Sequence, residues 1–146
     1  MSIATRTATT TWVGDLGSGT GTFGDTSSGA LDGQEVTWGS RTEAPNGKSS
    51  PEELLAAAHS SCFSMALALT LSQHQAAPER LEVSSEVALE EVDGAPTIST
   101  SHITVRATVP GLDADAFAAI ADEAAKLCPV SRLFSSAKIT VDAQLA

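Results

Sequence analysis

The stretch from Leu54 to Leu71 constrains this chain more than any other: 18 residues pass without a formal charge. A run of that length fits either a membrane span or a helix buried in a protein core. Its content favours the core. It holds His59, Ser60, Ser61, Ser64 and Thr70, and much of the remainder is alanine. Glu52 and Glu53 lead into it, with none of the basic or aromatic anchors a span uses. The start signals agree with one another. Ser50 is a good N-cap, Pro51 suits the first helical position, and Glu53 completes a capping box with Ser50. The helix should run to about His74, and a kink, if there is one, belongs at Ser60-Ser61.

Around that helix the pattern changes period. Residues 8–13 and Gln34–Trp38 suit strands, separated by turns and a hairpin over residues 14–33, with a loop over 43–50. From Leu81 the period is two: Leu81, Val83, Val87 and Leu89 share one face, and Glu82, Glu86 and Glu90 the other. Asp93-Gly94 marks a turn, after which Ile103, Val105, Ala107 and Val109 alternate again. Asp113 can cap a second helix with a stripe of Phe117, Ile120, Ala121, Ala124 and Leu127, which Pro129 should end. Lys138–Leu145 is a last strand with Ile139, Val141, Ala143 and Leu145 inward. Short turns between neighbouring strands imply antiparallel sheets. The expectation is an α+β fold in the order β-β-β-α-β-β-α-β, in one domain over residues 1–146.

Charge narrows the function classes. The formal net charge is −10, which repels nucleic-acid phosphates and anionic membrane surfaces, so neither is expected as a partner. The N-terminal MSIATRTATTTW lacks an apolar stretch long enough for a signal peptide, so a cytoplasmic location is expected. Structural disulfides are rare there, and the two cysteines, Cys62 and Cys128, read as redox-active, metal-bound or inert.

Several candidate motifs weigh unequally. Gly19-x-Gly21-x-x-Gly24 matches a dinucleotide pattern, but no helix is readable after it, so the glycines read as turn residues. His59, Cys62, His102 and Cys128 contain no compact ligand pair, which argues against zinc. His59 and Cys62 share a helix face and suggest a Cys-His hydrolase or acyltransferase, without an evident third residue to orient the histidine. By itself Cys62 would pass for a small core hydrophobe, and a small-ligand-binding dimer with inert cysteines stays open as well. A reactive Cys62 needs a cation, because a free thiol is only a few per cent ionised at neutral pH. If Pro129 opens a short helix through Phe134, Cys128 is its N-cap, and local sequence makes Cys128 the more acidic thiol.

The run Pro51-Glu52-Glu53-Leu54-Leu55-Ala56-Ala57-Ala58-His59-Ser60-Ser61-Cys62-Phe63-Ser64-Met65-Ala66-Leu67 resembles the first-cysteine motif of the OsmC and organic hydroperoxide resistance family. Cys128-Pro129-Val130-Ser131 resembles its second, and Trp12-x-Gly14 and Gly39-Ser40-Arg41 extend the likeness over nearly the whole chain. His59 and Val130 point to the OsmC branch. The resemblance implies a thiol peroxidase that reduces organic hydroperoxides, and hydrogen peroxide, without cofactor or metal. It implies a peroxidatic Cys62, a resolving Cys128, Arg41 as the cation that ionises Cys62, and Glu52 holding Arg41. It further implies a dithiol reductant, such as one of lipoyl type, and an intertwined homodimer with its sites at the subunit interface. Glu52 and Cys62 lie on the order of 15 Å apart along an unbroken helix. Either Arg41 bridges them, the helix breaks near Ser60, or one of them comes from a second chain.

Overall fold

The computed structural model describes residues 1–146. The chain divides into two compact units, Met1–Leu54 and Leu55–Ala146. The fold is α+β, as the periodicities imply.

In the first unit, β1 (Thr9–Val13), β2 (Thr20–Gly24) and β3 (Glu35–Val36) form an antiparallel sheet in that order. The glycine pattern belongs to its hairpin. A Cβ at Gly19 would run into the Asp15 carbonyl and the Trp12 indole. At Gly21 it would meet Val36, Thr10 and Trp12 side chains at 2.9–3.0 Å. These glycines let side chains close over the hairpin, and no helix follows them. The expected strand to Trp38 stops at Val36, because Thr37 starts a short helix, α1 (Trp38–Thr42). Thr37 Oγ1 accepts from the Ser40 N–H at 3.0 Å, and Ser40 Oγ accepts from the Thr37 N–H at 2.9 Å. Serine stands where the capping pattern has Glu or Gln, so the sequence signal is faint.

Helix α2 (Pro51–Gln73) begins as expected, with the Glu53 N–H donating to Ser50 Oγ at 3.1 Å. The Glu53 carboxylate accepts from Ser49 Oγ at 2.8 Å, completing the cap from one residue further back. The helix does not break at Ser60-Ser61. The hydroxyls of Ser60, Ser61 and Ser64 donate to the carbonyls of Ala57, Ala58 and Ser60 in the preceding turn, which is compatible with continuous helix.

In the second unit, β4 (Arg80–Val92) and β5 (Ala95–Thr108) form a long antiparallel hairpin. Asp93 and Gly94 both have positive φ, 51° and 78°, the conformation a two-residue hairpin turn demands. One extra residue, Ser99, bulges from β5, where Ala88 pairs with Thr100 and Leu89 with Ile98. Helix α3 (Ala114–Leu127) is capped by Asp113, whose Oδ1 accepts from the Ala116 N–H at 2.9 Å. A short α4 (Pro129–Leu133) precedes β6 (Lys138–Leu145).

Strand β6 pairs with β5 in parallel, which corrects the expectation of antiparallel sheets throughout. The chain crosses from β5 to β6 through α3 and α4, and such a crossover delivers a strand in the same direction. The core of this unit gathers Phe63, Leu67 and Leu71 of α2, Ile103, Val105 and Ala107 of β5, and Phe117, Ile120, Ala121 and Ala124 of α3. Burying each large side chain contributes about 1.5–3 kcal/mol. Leu127, expected in the α3 stripe, is exposed at the helix end. Helix α2 is the one segment long and apolar enough to cross a membrane. Its buried line runs through His59, Phe63, Ala66, Leu67, Thr70 and Leu71, while Met65 (72% exposed) and Leu69 (56%) face outward.

Candidate active site

The first unit holds the charged pair. Arg41 lies in the last turn of α1 and Glu52 in the first turn of α2, the end of a helix where a carboxylate is favoured. Arg41 Nε donates to Glu52 Oε1 at 3.0 Å and Oε2 at 3.2 Å, and Nη2 donates to Oε1 at 2.7 Å. A fork of this kind fixes the guanidinium plane more firmly than a single contact would. The side chains are 30% and 12% exposed. Arg41 is one wall of a largely apolar cavity of about 150 Å³, together with Trp12, Leu16, Val36, Thr37, Trp38 and Pro51.

The second unit holds the sulfurs. Cys62 projects half-buried from α2, and Cys128 is fully buried at the junction of α3 and α4. Their Sγ atoms lie 3.3 Å apart and both are free thiols. A disulfide requires about 2.05 Å, so the pair sits just outside bonding distance. Burial pushes the Cys62 thiol above its ordinary range, and the neighbouring Cys128 adds to the rise. The backbone N–H of Val130, in the first turn of α4, pulls the other way. No cation is among the groups that shift it. The amide at the start of α4 therefore bears on Cys62, whereas local sequence had assigned that benefit to Cys128, whose side chain makes no cap bond.

His59 is fully buried. Its Nδ1 lies 2.6 Å from Ser101 Oγ and its Nε2 2.8 Å from Ser131 Oγ. Ser85 Oγ, 3.2 Å from Ser101 Oγ, extends the chain of hydroxyls. Burial lowers the His59 pKa and so favours the neutral ring, and a neutral imidazole with one N–H and one lone pair suits two hydroxyl neighbours that can each donate or accept. Both nitrogens are taken by serines, which leaves none to activate Cys62 and removes the basis of the Cys-His hydrolase reading. His102 sits on the outer face of β5, its Nδ1 2.5 Å from Thr140 Oγ1, so it does not join His59, Cys62 and Cys128.

Sequence reasoning missed Ser101 and Ser85 altogether and read Ser131 only as part of a motif. A signal existed for Ser101. It occupies the inward register of Ile103, Val105 and Ala107, and a hydroxyl there needs a buried partner.

A family model described as OsmC-like protein matches residues 44–144. The chain belongs to the OsmC-like family. It is 40% identical over 134 residues, 92% of each chain, to peroxiredoxin OsmC of Escherichia coli K12. OsmC-like folds among solved structures include the organic hydroperoxide resistance protein OhrB of Bacillus subtilis, with TM-score 0.75 and 22% identity over 99% of this chain and 100% of that one. The OsmC-like protein of Mycoplasma pneumoniae also has TM-score 0.75, at 14% identity over 99% of each chain. At these identities the two structures speak for the fold alone.

Proposed function

We propose that this OsmC-like protein is a thiol-dependent peroxidase that reduces organic hydroperoxides, and hydrogen peroxide, to the alcohol or water. The observation that carries this reading is the pair of free thiols with sulfurs 3.3 Å apart, one half-buried and one fully buried. The name of the 40% identical relative, a peroxiredoxin, supports it.

In this reading the Cys62 thiolate attacks the terminal peroxide oxygen. The O–O bond breaks, the alkoxide takes a proton and leaves as alcohol, and Cys62 becomes a sulfenic acid. Cys128 then attacks the sulfenic sulfur, the S–O bond breaks, and the hydroxyl leaves as water with the Cys128 proton. An external dithiol returns the disulfide to two thiols by exchange. Burial alone leaves Cys62 protonated, so a cation is needed. Arg41, oriented by Glu52, is the residue we assign to lower the thiol pKa and to stabilise charge on the departing oxygen. The largely apolar cavity that Arg41 helps to line favours alkyl peroxides over hydrogen peroxide.

A homodimer is part of the proposal. The exposure of Met65 and Leu69 on an otherwise apolar helix supports a covering partner. So is a reducing, cytoplasmic setting, in which the dithiol form is restored.

The test is a thiol count. Reduced protein mixed with a slight excess of cumene hydroperoxide should lose both thiols and gain one intrachain Cys62–Cys128 disulfide, read by mass spectrometry. An unchanged count would overturn the peroxidase reading in favour of a ligand-binding protein with inert cysteines.

A further inference from the structure

A buried imidazole that takes no part in the sulfur chemistry still needs a reason to be there. Helix α4 supplies one. It has five residues, too few to hold a helix by itself, and it begins immediately after Cys128. Its one buried side chain is Ser131, and that hydroxyl meets His59 Nε2 at 2.8 Å. Phe134, which ends α4, is also buried, and its ring meets the His59 ring edge to face with centroids 5.2 Å apart and planes at 81°. Both anchors of α4 thus converge on one ring.

The spacing adds to this. His59 precedes Cys62 by one turn of α2, and Ser131 follows Cys128 by one turn. The hydrogen bond between His59 and Ser131 is therefore a second tie between the same two elements, one turn behind the sulfurs on each. The far side of the imidazole is fixed in turn to the sheet, through Ser101 of β5 and Ser85 of β4. A tautomer change merely reverses each bond, so the tie holds whichever nitrogen carries the proton.

We propose that His59 is a positioning residue for the resolving step, holding α4 through Ser131 so that Cys128 stays within reach of Cys62. This deepens the peroxidase reading and rests on it. Positioning of this kind acts mainly on the effective concentration of one sulfur at the other, and reaches the first attack on peroxide only through the Val130 N–H at the start of α4.

The experiment compares His59→Gln, His59→Asn and Ser131→Ala. A glutamine amide reaches the place of Nε2 and keeps the bond to Ser131. An asparagine amide reaches only the place of Nδ1 and keeps the bond to Ser101. Both fill the site with a neutral polar group, so a merely structural role would treat them alike. With cumene hydroperoxide, trapping by dimedone reports the lifetime of the Cys62 sulfenic acid. Loss of one such hydrogen bond should lengthen that lifetime about tenfold in His59→Asn and Ser131→Ala, and by no more than about threefold in His59→Gln. The rate of the first oxidation should stay within about threefold in all three. Equilibration with a glutathione redox buffer, which involves no peroxide, should show the effective molarity of the disulfide falling in the same order.

Equal lifetimes for His59→Gln and His59→Asn, or an unchanged effective molarity in Ser131→Ala, would overturn the inference. Failure of cumene hydroperoxide to oxidise Cys62 at all would instead overturn the peroxidase reading, and the glutathione measurement would still decide the role of His59.

Discussion

The two compact units carry opposite kinds of polar chemistry. Met1–Leu54 presents a partly exposed ion pair, Arg41 with Glu52, beside an apolar cavity. Leu55–Ala146 presents thiols and a neutral imidazole with hydroxyl partners, packed into a core of Phe63, Leu67, Ile103 and Phe117. The difference teaches how the requirements of a reactive thiol divide. Reach between two sulfurs calls for rigid, uncharged packing, because an unpaired charge in a core is costly. Ionisation of a sulfur calls for charge, which is best kept where water can solvate it. In the proposed mechanism each need is met by a different stretch of chain.

Breaking the neutral side should have the largest effect. Cys62→Ser should abolish peroxide consumption, whereas Cys128→Ser should permit one turnover and then leave Cys62 open to sulfinic acid, seen as a mass gain of two oxygens. If Cys62→Ser kept consuming peroxide and Cys128→Ser did not, the two roles would be exchanged.

Breaking the charged side should cost less. Each unit of rise in the Cys62 pKa lowers the thiolate fraction about tenfold at neutral pH. Arg41→Ala should therefore slow Cys62 oxidation by about tenfold to a hundredfold at pH 7, and the rate should recover as pH rises. The sign follows from the thiol. Burial holds its pKa above the ordinary value, so without a cation the rate climbs with pH through that raised pKa, and with one the climb comes at lower pH. A pH–rate curve identical in Arg41→Ala and the parent would remove Arg41 from the site. Glu52→Gln, which leaves the guanidinium present but unheld, should slow oxidation by only about threefold to tenfold.

The smallest effect sharpens the neutral side. The folded state holds the His59 pKa below its ordinary 6.5, so between those two values the unfolded chain binds more protons. Stability should be fully present above about pH 6.5 and decline as pH falls toward the folded pKa. Urea unfolding followed from pH 7.5 to 5 should show this decline, and His59→Gln should flatten it. Equal slopes in the two proteins would mean that other groups carry the acid sensitivity.

Much of the fold was legible because local signals and packing agree. Ser50-Pro51 starts α2, Asp113 caps α3, Asp93-Gly94 turns the long hairpin, and β6 keeps its expected bounds. The parallel pairing of β6 runs against the hairpin pattern of the other strands, and its signal in the sequence is the helical stretch that separates it from β5. Helix α1 escaped notice because its cap uses Thr37 and Ser40, residues with weak individual preferences. In the site, Cys62 and Cys128 were legible from their motifs. The serines around His59 were not, since hydroxyls distant in sequence acquire meaning only when folding brings them to one ring.

Cys128 closes α3 and opens α4 with a single residue at φ −63° and ψ 114°. In the proposed resolving step the 3.3 Å between the sulfurs closes by a turn of side-chain torsions, with no helix sliding. In the proposed cycle the oxidised and reduced forms should consequently share one hydrodynamic radius and one far-ultraviolet dichroism spectrum, so that the dithiol reductant meets nearly the same outline in either state.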